Sequence, residues 1–366
     1  MFQFAGGVQE VVFQLQVQLQ KKGHQAIIIT PRPRSYFEDT PKDMILLGRS
    51  TKMNTPFATM VDFGFEADGE EIAAILEREQ FDILHFHEPW QPVLSRQILT
   101  RSNTVNVATF HGTPPDTIMS KSLLNMVIPY TRSVLKYIHS YTAVSEPAAG
   151  YIRTLTDEHV EIIPNGIDIN KFKAPKTMPH ESKKTILYLG RLERRKGVKF
   201  LIDAYARLRE NHEDVKLVIA GNGVKSKSLE RYVEEYEIPD VSFIGYVKEC
   251  DKVNLMATAD LYCSPAQYGE SFGIVLLEAM AVGTPLVAGN NPGYASVMKD
   301  LGRVSLVTPT LTEDFAMRLE LMLYNEEIRK IWKDWAKKEV QKYNFEKVAT
   351  EYETTYKKAL KVYAQI

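Results

Sequence analysis

The sequence is poor in cysteine: only Cys250 and Cys263 are present, and neither matches a metal-binding spacing. That excludes a disulfide framework and a zinc knuckle, and reads as ordinary reduced thiols of a cytosolic protein. An excess of one charge is lacking too. Lys and Arg number 45 against 46 Asp and Glu, a net charge of -1, so no global field draws nucleic acid or an anionic membrane. No apolar run approaches the ~18 residues of a membrane span, and the start has neither the basic nor the apolar region of a signal peptide. Low-complexity tracts and internal repeats are also missing. The expected location is the cytoplasm, at most against the inner face of the cell membrane, and nucleic acid is not an expected partner.

What is present reads as two α/β domains, for which 366 residues are ample. Val8 to Lys22 forms an amphipathic helix entered through Gly6-Gly7, a turn that normally follows a β-strand and lets backbone approach phosphate. Barely any room for that strand remains ahead of it. Missing upstream residues are the preferred explanation, and a genuinely short first strand is the alternative. Strands are expected at 25–30, 43–48, 57–63, 81–87, 105–111, 140–144 and 160–163. Helices are expected at 70–79 (Ile72, Ala73, Ile75 and Leu76 inward), at 121–138, and after Ser145, an N-cap followed by Pro147. A polar, proline-bearing linker covers 173–184. Strands at 185–190, 215–220, 241–244, 261–264 and 285–288 then alternate with helices at 198–211, 226–236, 249–257, 313–342 and 344–363. Such alternation belongs to a doubly wound parallel sheet.

Gly269-Glu-Ser-Phe-Gly-Ile-Val-Leu-Leu-Glu-Ala-Met-Ala281 carries the most chemistry. From Ile274 to Val282 it is apolar on every side, the mark of a helix buried all round. Glu278 is the one charge in that run, and a carboxylate buried without a partner is costly. A bound polyol is a natural partner for it. Glu270 lies ahead of the helix, where glycine-flanked N–H groups favour an anion and a carboxylate would sooner accept bonds from sugar hydroxyls. Eight helical residues amount to about 12 Å of rise and roughly 80° of turn, a poor arrangement for the opposed carboxylates of a glycosidase. Arg191 and Lys196 leave a strand on the glycine-bounded loop Gly190–Gly197, where fixed cations can neutralise a leaving diphosphate. His111 ends a strand at the side where open α/β sheets bind ligands. His85 and His87 share a strand face but lack a third ligand at a sensible spacing, so no metal is expected.

The two glutamates, with seven residues between them, resemble the nucleotide-sugar motif of the retaining glycosyltransferases of the GT-B fold, family 4. Gly269-Glu-Ser-Phe-Gly-Ile-Val275 comes close to the bacterial phosphatidylinositol mannosyltransferases. Gly6-Gly-Val-Gln9, Asp82-Ile-Leu-His-Phe-His-Glu-Pro89, Ala108-Thr-Phe-His111 and Pro164-Asn-Gly-Ile-Asp168 follow the family's order. The resemblance implies an α/β GT-B chain: two Rossmann-like, doubly wound parallel-sheet domains facing across a cleft. Residues 1–172 would be the acceptor side, 173–184 the linker and 185–343 the donor-binding domain, with 344–366 a helix packing back on the first domain. It implies catalytic roles for His111, Glu270, Arg191 and Lys196. Donor binding would use Gly7, Arg191, Lys196, Val247, Glu249, Lys252, Glu270, Phe272, Gly273, Ile274 and Glu278, and acceptor binding Gln9. No metal or cofactor is implied beyond the nucleotide sugar.

Val247-Lys-Glu-Cys-Asp-Lys252 lines up with the family segment that flanks guanine, which makes GDP-mannose the leading donor and a lipid or glycan hydroxyl the acceptor. A UDP-dependent transferase of glucose or N-acetylhexosamine is the rival enzyme, and a non-catalytic nucleotide-sugar-binding module the rival of another class. Two departures weaken a phosphatidylinositol acceptor. Acidic Glu66, Asp68, Glu70 and Glu71 stand where those enzymes carry a basic helix, and Gly112-Thr-Pro-Pro-Asp116 replaces a polar segment. The basic stretch 329–342, with Trp332 and Trp335, reads as an ordinary amphipathic helix, peripheral membrane contact being the alternative.

Overall fold

The computed structural model describes residues 7–32, 41–54, 60–65, 67–89, 94–112, 128–172 and 182–365, of which 50–54 and 60–65 are described through their backbone alone. The segment ahead of Gly7, the start of the 57–63 strand, residues 121–127 of the expected helix, most of the linker, Glu66 and the segment after Gly112 lie outside them. The chain divides into two compact units, Met1–Asn165 with Phe345–Ile366, and Gly166–Asn344.

The first unit runs α1 (Gly7–Lys21), β1 (Ile28–Arg32), β2 (Met44–Asn54), β3 (Met60–Phe65), α2 (Gly69–Glu79), β4 (Ile83–His87), α3 (Leu94–Leu99), β5 (Val105–Phe110), α4 (128–135), β6 (Ser140–Ala143), α5 (Glu146–Ile152) and β7 (Val160–Ile162). Strands β4-β5-β6-β7 form a parallel sheet. A second sheet, β1-β2-β3, departs from the all-parallel expectation because β2 and β3 pair antiparallel. Only residues 55–59 join those two strands, too few for the dozen or more that a parallel crossover needs.

Other departures are local. β1 begins at Ile28 rather than residue 25 and runs through Pro31, which a sheet edge tolerates and where β1 lies. On α2, Ile72 and Ile75 are buried but Ala73 is exposed. The acids that open α2 have a structural use: Asp68 caps the helix by accepting from Glu70 N at 3.0 Å, and Glu70 and Glu71 sit in its first turn, where the helix dipole favours negative charge. Ser145 caps α5 by accepting from Ala148 N at 3.2 Å, with Pro147 in the first turn.

The second unit runs β8 (Lys184–Leu189), α6 (Val198–Arg209), β9 (Val215–Ala220), α7 (Ser226–Glu235), β10 (Val241–Gly245), α8 (Glu249–Thr258), β11 (Leu261–Ser264), α9 (Ile274–Val282), β12 (Leu286–Gly289), α10 (Pro292–Val297), β13 (Leu306–Val307), α11 (Thr312–Tyr324) and α12 (Glu326–Glu339). Its sheet is parallel throughout, in the order β10-β9-β8-β11-β12-β13. Counted within the unit this is 3-2-1-4-5-6, the Rossmann order, whose ligand crevice opens where β8 and β11 diverge. The helical stretch expected over 313–342 is divided at Asn325, whose side chain accepts from Ile328 N at 3.0 Å and starts α12. Trp332 is fully buried, its Nε1 donating to Ser305 Oγ at 2.7 Å. Trp335 lies against Gly302, where an added Cβ would fall 2.3 Å from its ring. Both indoles thus pack within the second unit. Among the described residues no helix is long and apolar enough to cross a membrane.

After the second unit the chain re-enters the first as α13 (Phe345–Tyr363). Val348, Ala349 and Tyr352 pack on Leu15 and Ile163, and Tyr356 reaches Val105 and Val107. Polar bonds cross the same seam. Thr109 Oγ1 donates to Tyr352 OH at 3.2 Å, Tyr356 OH meets His85 Nδ1 at 2.7 Å, and Thr355 Oγ1 donates to Glu161 Oε2 at 2.6 Å. Tyr352→Ala should therefore destabilise the first unit by about 3–5 kcal/mol, the usual range for a large buried ring. Tyr352→Phe, which loses one hydrogen bond, should cost about 1 kcal/mol. Denaturant unfolding measures both, and near-equal small losses would mean that α13 does not depend on this ring.

Candidate active site

Two loops meet at the switch point of the second unit. The first leaves β8, and the Tyr188 hydroxyl donates to Arg191 O at 2.8 Å. It then makes a 3-10 turn, Arg194–Lys196, and ends at Gly197 with φ 70°. A Cβ there would fall 2.2 Å from Pro265 O, so glycine lets this loop lie against the one leaving β11. Gln267 N donates to Arg195 O at 2.9 Å and ties the two together.

This contact assembles a chain of alternating charges. Arg191 Nη1 lies 2.8 Å from Glu193 Oε1, and Arg195 Nε 3.0 Å from Glu193 Oε2. Glu270 Oε1 then accepts from both Arg195 Nη1 and Lys196 Nζ, at 2.7 Å each. Three cations face two carboxylates, a local surplus of one positive charge. Burial lowers the Lys196 pKa, and the Glu270 carboxylate only partly offsets this. For Arg195 burial works the same way but is outweighed by Glu270 and Glu193, so its pKa is raised.

α9 starts just beyond, at Gly273, with φ 117° and no side-chain cap. Helix N–H groups without a side-chain cap are suited to an anion. Phe272 is buried, with its ring edge-on to Tyr343 at 5.8 Å, so its side chain is committed to the core and only its backbone is available to a donor. Ile274 opens the helix and is partly exposed. Glu278 is buried as the sequence implies, but half of its demand is met from within the protein: Lys252 Nζ donates to Oε1 at 2.5 Å. Its other oxygen, Oε2, is buried with no hydrogen-bond partner among the described residues. Burial raises the Glu278 pKa against the pull of the Lys252 charge. Lys252 is thus pinned to Glu278, 3.5 Å from the exposed Glu249, which in turn lies 3.4 Å from Lys171. Val247 is half-buried beside an exposed Tyr246.

In the first unit, Gly7 and Gln9 stand exposed at the start of α1. His111 follows β5, and its backbone N–H and that of Gly112 both donate to Glu88 Oε1 at 2.5 Å. Its Nε2 lies 2.8 Å from His87 Nδ1, while His85 bridges Tyr356 and Thr109. Burial pushes His111 down to about 4 and His85 to about 3, and holds His87 well below the ordinary value. The His111 imidazole is therefore neutral near neutral pH, with Nε2 engaged by His87. Arg195, Glu193 and Lys171 were not singled out by the sequence. The signal was a carboxylate two residues ahead of an arginine inside a three-residue basic run.

A Rossmann-ordered parallel sheet, with one glutamate gripped by cations beside its switch point and a second on the helix that follows, is the architecture of a GT-B glycosyltransferase chain. The chain belongs to the family 4 glycosyltransferases: residues 5–171 match the model for Glycosyltransferase Family 4 and residues 170–339 that for Glycosyl transferases group 1. A phosphatidyl-myo-inositol mannosyltransferase of Mycobacterium tuberculosis is 32% identical, over 97% of this chain and 94% of its own. The alpha-monoglucosyldiacylglycerol synthase of Streptococcus pneumoniae is 26% identical, over 82% and 71%. Among solved structures, sucrose-phosphate synthase from Thermosynechococcus elongatus shares the fold with a TM-score of 0.77 at 20% identity, covering 99% of this chain and 95% of that one.

Two outcomes test the site as described. The unfolded chain protonates its histidines near 6.5 and the folded chain near 3 and 4 for His85 and His111. Stability is then full above 6.5 and falls as pH drops toward those values, by on the order of 2 kcal/mol for each around pH 5. Unfolding of the first unit against pH measures this, and a flat profile contradicts it. Gly273→Ala would place a Cβ 2.7 Å from Tyr294 Cδ1 at a positive φ. It should destabilise the second unit by about 1–3 kcal/mol and weaken donor binding, both read by thermal melts with and without nucleotide.

Proposed function

We propose that this chain is a retaining α-mannosyltransferase that moves mannose from GDP-mannose to a lipid or glycan hydroxyl. The carrying observation is Glu278: a buried carboxylate with Oε1 on Lys252 and Oε2 without a partner among the described residues, suited to accept hydrogen bonds from a ribose. Glu270, nearer the cations, is suited to the sugar. The diphosphate fits the surplus positive charge of Arg191 and Lys196 and the uncapped start of α9. In this reading the bond from the sugar's anomeric carbon to the phosphate oxygen breaks and its electron pair passes to the diphosphate. The acceptor oxygen attacks the same face and its proton goes to the departing phosphate, so no metal step is needed. His111 and Gln9 keep the catalytic and acceptor roles implied by the family resemblance, His111 acting without a protonated side chain. The mannosyltransferase relative supports mannose, and the glucosyl relative is the reason to test UDP-glucose beside it.

Calorimetric titration of GDP-mannose, UDP-glucose, UDP-N-acetylglucosamine and ADP-glucose tests the reading. GDP-mannose should bind selectively, and Glu278→Gln should weaken it by roughly tenfold or more through the lost charge-assisted bonds. Selective UDP-sugar binding would overturn the donor. Base preference is tested at Glu249, because Lys252 anchors Glu278 and its loss should weaken every donor alike. Glu249→Ala should weaken GDP-mannose more than UDP-glucose, and equal effects would refute guanine recognition there.

A further inference from the structure

The two cations on Glu270 are held very differently. Among the described residues the Lys196 ammonium bonds to Glu270 alone. It is a point charge on a flexible stem and can turn to another anion. Arg195 is gripped at several points: Nε by Glu193, Nη1 by Glu270, and Nη1 again by Gly269 O at 3.3 Å. Its backbone carbonyl takes Gln267 N, and Gly269 lies against its side chain, where an added Cβ would stand 3.6 Å from Arg195 Cδ. A guanidinium in that grip cannot swing away without breaking bonds to two carboxylates and a carbonyl.

A diphosphate arriving at the start of α9 competes with Glu270 for Lys196. If Lys196 were the only cation on Glu270, its departure would leave a largely buried carboxylate without a counter-charge. Resting on the donor-site reading above, we propose that Arg195 is a positioning residue: it holds Glu270 aimed at the donor's sugar while Lys196 passes from Glu270 to the diphosphate. Arg195 then acts on the sugar through Glu270, whereas Lys196 acts on the phosphates directly. The two neighbours in sequence serve opposite ends of the donor.

That division separates in binding. GDP and UDP probe the phosphate end, and GDP-mannose and UDP-glucose add the sugar. Arg195→Gln should leave the affinity for the better-bound nucleoside diphosphate within about twofold while removing roughly tenfold of the extra affinity contributed by the sugar, the scale of a charge-assisted contact. Arg195→Lys, which keeps a charge but not the fork, should restore part of it. Lys196→Ala should weaken nucleotide and nucleotide sugar together. Combined with Glu270→Gln, Arg195→Gln should add little, because both remove the same contact. Equal losses for GDP and GDP-mannose in Arg195→Gln would make Arg195 a phosphate ligand and overturn the proposal. So would no loss at all, or full additivity with Glu270→Gln. Should Arg195→Gln fail to fold, the Arg195→Lys ratio reads the same quantity. Wild-type protein that binds none of the four probes overturns the donor-site reading itself, whereas wild-type binding with an unaltered sugar contribution in the variants overturns the positioning role alone.

Discussion

One carboxylate oxygen, Glu270 Oε1, accepts from two cations that arrive on a different loop, each at 2.7 Å. The strand order makes that meeting unavoidable. β8 and β11 lie side by side although two strand–helix repeats separate them in sequence, so the loops that follow them emerge at the same edge. Glycine at 197 then allows the close approach. Without a donor the site neutralises most of its own charge, and a nucleotide sugar would replace contacts already present rather than fill a bare positive pocket.

The two units deal with buried polarity by different means. In the second, charges stay charged and pair: Lys196 with Glu270, Lys252 with Glu278. The first keeps its buried polar groups neutral, through His85, His87 and His111 linked to one another, to Thr109 and to the tyrosines of α13. Neutral networks avoid the desolvation cost of ions but leave a dependence on acid. Ion pairs tolerate a shift in pH yet exchange partners readily when another anion arrives.

Much of this was legible in the sequence because local signals and global arrangement agreed. Ser145-Glu-Pro is a helix start at any address, and the apolar run around Glu278 can only be an internal helix. The family resemblance ordered the motifs. What sequence could not supply was pairing. The antiparallel β2–β3 ribbon depends on which strands meet, not on their own residues. Lys252 looked like a base-reading residue because its partner, Glu278, lies on another helix. Arg195 was hidden among three consecutive basic residues, since a run of charges does not tell which member turns inward.

The first unit is discontinuous: its chain leaves at Asn165 and returns at Phe345. Tyr352 and Tyr356, which close the seam over β4 and β5, are synthesised only after the whole of the second unit. During synthesis the second unit has all of its strands available while the first still lacks the helix that covers its sheet. Assembly of the first unit therefore waits on contacts of very long sequence separation, which are slow to form. The buried face of β5, with Val105 and Val107, stays uncovered until α13 has been made, and chaperones have a long opportunity to act on that face.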